Sequence, residues 1–191
     1  LHYYTDMIKT VRYYYDIRNF DELGNYINNT LFPINREIKD SVLKSDNLLK
    51  IKGIKSNMIR GLLYSKLLLL QNEDGIQTTF DLSAPITRLF MPELELYKVL
   101  SIVTDNAVEE LKSIPIGKRL ELDAHLFISV FAQKQQTTFK IINTINIYRT
   151  EKKKGHGVGL NHVKEILDAY NTELKITPSQ HTYEVEFILK E

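Results

Sequence analysis

The chain has 191 residues, 43% of them hydrophobic and 26% charged, with a mean hydropathy of −0.24, a balance that suits a folded globular protein and excludes a disordered tail. Lys and Arg number 25 against 24 Asp and Glu, a net charge of +1, so the bulk charge recruits no nucleic acid. No cysteine is present, which excludes a disulfide framework, a thiol nucleophile and a Cys-ligated metal and fits a reducing cytoplasm.

Apolar residues recur at helical spacing over Met7, Val11, Tyr14 and Tyr15 and again over Leu23, Tyr26, Ile27 and Leu31, which predicts two antiparallel helices joined by a short turn. The first helix is expected to end near Arg18, with Asn19 or Asp21 capping the second. A further helix is predicted from about Lys55 to Asn72; its apolar run Leu62 to Leu70 is broken by Lys66 and is too short to span a bilayer. The period then changes to two over Ile76 to Leu82, predicting a strand. Pro92 to Ser113 returns to helical spacing. Leu120 to Phe131 and Thr137 to Ile147 are predicted strands, Leu160 to Tyr170 a helix, and Glu173 to Thr177 with Thr182 to Leu189 a closing hairpin. The fold class is therefore α+β, a helical hairpin over about residues 1–50 followed by an α/β domain over 51–191, with the boundary near Leu48 to Lys55. A start without Met suggests a piece of a longer protein.

Three segments carry chemistry. In Gly155-His156-Gly157-Val158-Gly159-Leu160 glycines at every second position admit a ligand close to the backbone, and the helix that follows offers unpaired N–H groups to an anion. Lys152, Lys153 and Lys154 precede it with three ammonium groups. Alone, such a run is also what a plain connector looks like, and it matches neither GxxxxGK[ST] nor a βαβ dinucleotide loop. The second segment, Thr104-Asp105-Asn106-Ala107-Val108-Glu109-Glu110, puts two poor helix formers inside an apolar helix. Either this is a solvated edge, or the carboxamide of Asn106 is a hard ligand for a phosphate-bound magnesium. The third, Ile141-Ile142-Asn143-Thr144-Ile145-Asn146, is an apolar strand ending in asparagines, whose amides pair with a base edge or simply form a turn.

In order and spacing the three together resemble the N box, G1 region and G2 box of the GHKL ATP-binding fold. Nearly the whole chain is similar to receptor histidine kinases of the accessory-gene-regulator and competence type, which answer peptide pheromones. His2-Tyr3-Tyr4-Thr5-Asp6 occupies the place of that family's phosphoacceptor motif, and Ile59 to Lys66 resembles its first ATP-domain helix. The resemblance implies a helical dimerisation and phosphoacceptor segment followed by a Bergerat α/β sandwich, with ATP and Mg2+ as cofactors. It implies that Asn106 holds magnesium, that Asn143 accepts from the adenine amino group, and that Lys154, Gly155, Gly157, Gly159 and Leu160 contact the nucleotide. His2 is then the phosphoacceptor. The implied partners are a second copy of the chain and a response regulator, with no nucleic acid, and the implied setting is the cytoplasmic side of a membrane receptor whose sensor region is absent from this chain.

Some residues depart from the pattern. Tyr3 stands where the family carries an acid, and Asp6 where it carries Asn; Asp6 lies four residues after His2, on the same helix face, and is the candidate to orient or deprotonate the imidazole. The span from Asn143 to Gly155 is shorter than the family's usual lid. Where ATP-hydrolysing relatives place a glutamate to activate water, this chain has Ile102, which favours transfer to a side chain over hydrolysis.

Overall fold

The structure is a computed structural model that describes residues 2–31, 45–149 and 158–191. The chain divides into two compact units, Leu1–Val42 and Leu43–Glu191.

The first unit contains helix α1 (His2–Asp16), helix α2 (Phe20–Tyr26) and a π-helical turn (Ile27–Leu31). α1 stops two residues short of the expected end because Arg18 adopts a left-handed backbone with φ of 54°. Of the two expected caps it is Asn19 that serves α2, its side-chain oxygen accepting the Glu22 N–H at 3.2 Å. Aromatic rings line the turn, with Tyr14 against both Tyr13 and Tyr26, and Tyr15 against Phe20. None of the described side chains of these helices is buried.

The second unit runs α3 (Ser45–Ile51), α4 (Asn57–Gln71), β1 (Gln77–Leu82), α5 (Glu93–Lys112), α6 (Ile116–Arg119), β2 (His125–Ala132), β3 (Gln136–Thr144), α7 (Val158–Asp168), β4 (Leu174–Pro178) and β5 (Thr182–Lys190). Five strands form one sheet in the order β1-β2-β3-β5-β4, with β1 parallel to β2 and the other pairs antiparallel. Alternation sorts its two faces. Phe80, Ile128, Phe139, Ile141, Val185 and Phe187 point to a core closed by Leu63, Leu67, Leu100, Val103, Val163 and Leu167 from the helices. Phe139 and Phe187 stack across β3 and β5 with ring centroids 5.2 Å apart. On the other face Lys140 pairs with Glu184 at 2.8 Å and Glu186 at 3.5 Å.

β1 is an edge strand, and a side chain covers part of its free edge. Asn47 of α3 donates to the Thr78 carbonyl at 3.2 Å and accepts from the Phe80 N–H at 2.9 Å, pairing with the edge as a neighbouring strand does. So α3, which lies at and before the expected boundary, packs within the second unit.

Two predicted strands are corrected. The one expected from Leu120 begins only at His125, because Pro115 opens the short α6 and Asp123 turns the chain with φ of 49°. Arg119, 3% exposed, pins that turn by donating to the carbonyls of Ile114 and Asp74 and to Glu73. The one expected to reach Ile147 ends at Thr144, where Asn146 accepts the Tyr148 N–H at 3.0 Å and closes a side-chain turn. No helix among the described residues is long and apolar enough to cross a membrane.

Candidate functional site

α5 is the central helix of the second unit, packed by α4, α7 and the sheet. Val99, Leu100, Val103, Ala107 and Leu111 are its buried face. Asp105 and Asn106 stand on different sides of it. Asp105 accepts from Lys66 of α4 at 2.5 Å and from Ser101 at 3.2 Å, so its carboxylate is spent on joining two helices. Asn106 and Ile102, one turn apart and half-buried, meet the first turn of α7.

That meeting depends on a missing side chain. A Cβ placed on Gly159 would lie 3.0 Å from Ile102 Cγ2 and 3.9 Å from Asn106 Nδ2, so glycine is what lets the α7 backbone sit this close to α5. The first N–H groups of α7 have no partner within their own helix, and they sit beside a carboxamide. The donor set fits a magnesium-bound phosphate: backbone N–H groups for the anion, and one neutral oxygen for an ion that keeps most of its shell as water and phosphate. Ile102 brings no proton acceptor to this place.

Asn143 closes the row Phe139, Ile141, Asn143 on the helix-facing side of β3 and is 4% exposed. Its Nδ2 donates to the Thr144 carbonyl at 3.0 Å. A carbonyl only accepts, so this contact fixes which way the amide faces. Oδ1 is left as the free acceptor: the Asn143 side chain makes no other hydrogen bond with a described residue. Thr144 is itself held, its hydroxyl donating to the Asp123 carbonyl and accepting from the His125 N–H, both at 3.1 Å. Tyr183 stands opposite Asn143 on β5, and burial pushes its phenol above the usual tyrosine value.

The structure thus brings Asn106 and Gly159 together, puts the half-buried Leu160 one residue further along α7, and sets Asn143 on the sheet face that α5 covers. Lys154, Gly155 and Gly157 lie outside the described residues, as do the side chains of His2 and Asp6. The backbone of α1 places positions 2 and 6 one helical turn apart.

A family model described as the GHKL domain matches residues 91–190, more than half of the chain. The chain belongs to the GHKL family. The GHKL unit also has the fold of solved histidine-kinase catalytic domains. The catalytic domain of histidine kinase ThkA superposes with a TM-score of 0.53 at 14% identity, covering 70% of this chain and 90% of that one. ShkA, solved at full length in complex with AMPPNP, gives 0.50 at 18% identity over 69% of this chain and 29% of its own. The histidine kinase domain of the blue-light-activated kinase EL346 from Erythrobacter litoralis gives 0.50 at 12% over 70% and 58%. No curated protein matches the chain in sequence. At such identities the solved structures speak for the fold.

Sequence reasoning missed the hydrogen bonds that hold Asp105 and Asn143. Nothing in local spacing told Asp105, tied to α4, from Asn106, turned to α7, because the difference lies in which helix each side of α5 faces.

Proposed function

We propose that this chain is the catalytic region of a sensor histidine kinase of the peptide quorum-sensing type, the cytoplasmic end of a membrane receptor. A dimerisation and phosphotransfer hairpin lies within about the first 50 residues, and residues 51–191 bind Mg-ATP. The observation that carries the reading is the seating of Gly159 on Ile102 and Asn106, which joins the N-box amide and the G2 helix start in one place. Asn143 takes the adenine amino group on Oδ1, Asn106 holds magnesium, and Lys154, Gly155, Gly157, Gly159 and Leu160 line the triphosphate. Magnesium, held by Asn106, would supply positive charge to offset the charge developing on the transferred phosphoryl group.

His2 is the acceptor. A neutral imidazole nitrogen attacks the γ-phosphorus, the bond to the β–γ bridging oxygen breaks, and ADP leaves. Asp6, one turn on, orients the ring and takes up its proton. The phosphoryl group then passes to an aspartate of a response regulator. Ile102 supports transfer over hydrolysis, since it activates no water. The first unit supports a homodimer: its described side chains are all exposed or half-buried, with Ile8 70% and Phe20 59% exposed, and a second copy is what buries such faces in a four-helix bundle.

The test is incubation of the full chain with γ-labelled ATP and magnesium. Acid-labile, alkali-stable label that disappears in His2→Ala is expected. Nucleotide binding with no label on the wild-type chain would instead mark a non-catalytic nucleotide-binding module, the reading that Tyr3 beside His2 favours.

A further inference from the structure

Beyond Thr144 the chain folds back onto the last turn of α5. Glu110, 8% exposed, accepts the Asn146 backbone N–H on Oε1 and the Arg149 guanidinium on Oε2, each at 3.0 Å. Ser113, which ends α5, accepts Asn146 Nδ2 on its carbonyl at 2.7 Å and Arg149 Nη2 on its hydroxyl at 2.6 Å. The same hydroxyl donates to the Glu110 carbonyl at 2.6 Å. Every bond between the two segments has its donor on residues 146–149 and its acceptor on residues 110–113.

This is a fixed joint rather than a loose ion pair. The guanidinium sits at a helix C-terminus, where the carbonyl ends favour a cation. Withdrawing it would strand a buried carboxylate, so Arg149 is held by Glu110 and is poorly placed to serve a phosphate. The joint's position matters more than its strength. Glu110 follows Asn106 by one turn of the same helix, and Asn146 follows Asn143 by three residues of the same chain.

We propose that Glu110, Ser113, Asn146 and Arg149 form a positioning clamp that sets the spacing between the base-side amide of Asn143 and the metal-side amide of Asn106. This rests on the nucleotide-binding reading above. The four residues touch neither base nor phosphate; they hold the strand end against the helix, so that one nucleotide is gripped at both ends together. A ligand that uses both amides depends on the clamp, and a ligand that uses the base side alone depends on it little.

The experiment measures, by calorimetric titration of the full chain, the affinity for ADP without metal and for AMPPNP with magnesium. Arg149→Ala is expected to weaken Mg-AMPPNP by about tenfold or more, a typical size for coupling between two sites. Metal-free ADP should stay within about twofold, the scatter of independent sites. Arg149→Lys keeps the charge beside Glu110 and loses the fork to Ser113, and should recover part of the loss. Glu110→Gln retains an acceptor for Asn146 and gives the same ratio through a gentler change. Asn106→Ala is the reference, removing the metal-dependent gain directly. Equal losses for both ligands, with the melting temperature falling in step, would make the joint merely structural and overturn the proposal, as would no loss for either. If the wild-type chain binds neither ligand, the nucleotide reading itself fails and takes the clamp with it. Selective loss with ADP binding intact supports both.

Discussion

The two units of this chain use similar proportions of apolar residue to opposite ends. In Leu43–Glu191 a sheet and three long helices enclose Phe80, Phe139, Phe187 and Leu63 at 1% exposure or less. In Leu1–Val42 the described side chains of α1, α2 and the turn between them include Ile8, Tyr13, Tyr15, Ile17 and Phe20, each at least half exposed. A sheet face and helices on it make a closed layer, whereas two short helices have no second layer to close against. The contrast teaches that the second unit encloses a core of its own, while the described residues of the first leave their apolar faces without a covering surface among themselves.

The largest test of that contrast compares one phenylalanine from each unit. Phe139→Ala should destabilise the second unit by about 3–5 kcal/mol in urea unfolding, the usual cost of emptying an aromatic site in a core. Phe20→Ala should change the monomer by no more than about 0.5 kcal/mol, as for exposed positions. A cost for Phe20→Ala that grows with protein concentration would sharpen the comparison by exposing a second copy as the missing surface. Equal costs at high dilution would break it.

A middle-sized effect is expected at Gly159. Its added Cβ presses on Ile102 Cγ2 at 3.0 Å, and overpacking of this kind costs about 1–3 kcal/mol. Gly159→Ala should therefore lower the melting temperature, and Ile102→Ala in the same chain should relieve part of the strain. Strictly additive losses would mean that the two residues do not meet.

The smallest effect separates the ion pairs of the two units. Glu73 accepts from Lys112 at 2.7 Å and from the buried Arg119 at 3.1 Å, and the hydrogen bond from Lys112, with Arg119 adding to it, holds its carboxyl below the usual glutamate value. A depressed carboxylate stabilises the fold above the unfolded pKa of about 4.3 and loses that contribution as pH falls through its lower folded value. The stability gap between wild type and Glu73→Gln, of about 1 kcal/mol or less, should be flat from pH 7 to about 5 and close below about 4. Arg12 and Asp16 pair in the open at 73% and 51% side-chain exposure, and Asp16→Asn should cost nothing measurable in urea unfolding at pH 7.

Much of this architecture was legible in the residues. A cap at Asn19 or Asp21, the helix over α4, the long helix α5 and the closing hairpin β4–β5 follow from periodicity and cap chemistry, and the family from the resemblance that three short motifs carry. The misjudged boundaries have a common cause. Leu120 and Leu122 look like strand residues because they are apolar and alternate, yet a buried Arg119 and a left-handed Asp123 hold them in a turn. The end of β3 was misplaced for the same reason, since Asn146 turns the chain through contacts with Ser113 and Glu110, 33 and 36 residues earlier.

By itself the sequence determined the class of fold, the helical or strand character of most segments, and which residue types stand ready for a phosphate, a base and a metal, because these depend on local spacing and side-chain chemistry. Only the tertiary structure decided that Asp105 belongs to Lys66 while Asn106 faces Gly159, that the Asn143 amide presents its oxygen, and that Arg149 is locked to Glu110. Each of those choices is made by a group distant in sequence, and a hydrogen bond is specified by where its partner stands, which no single segment contains.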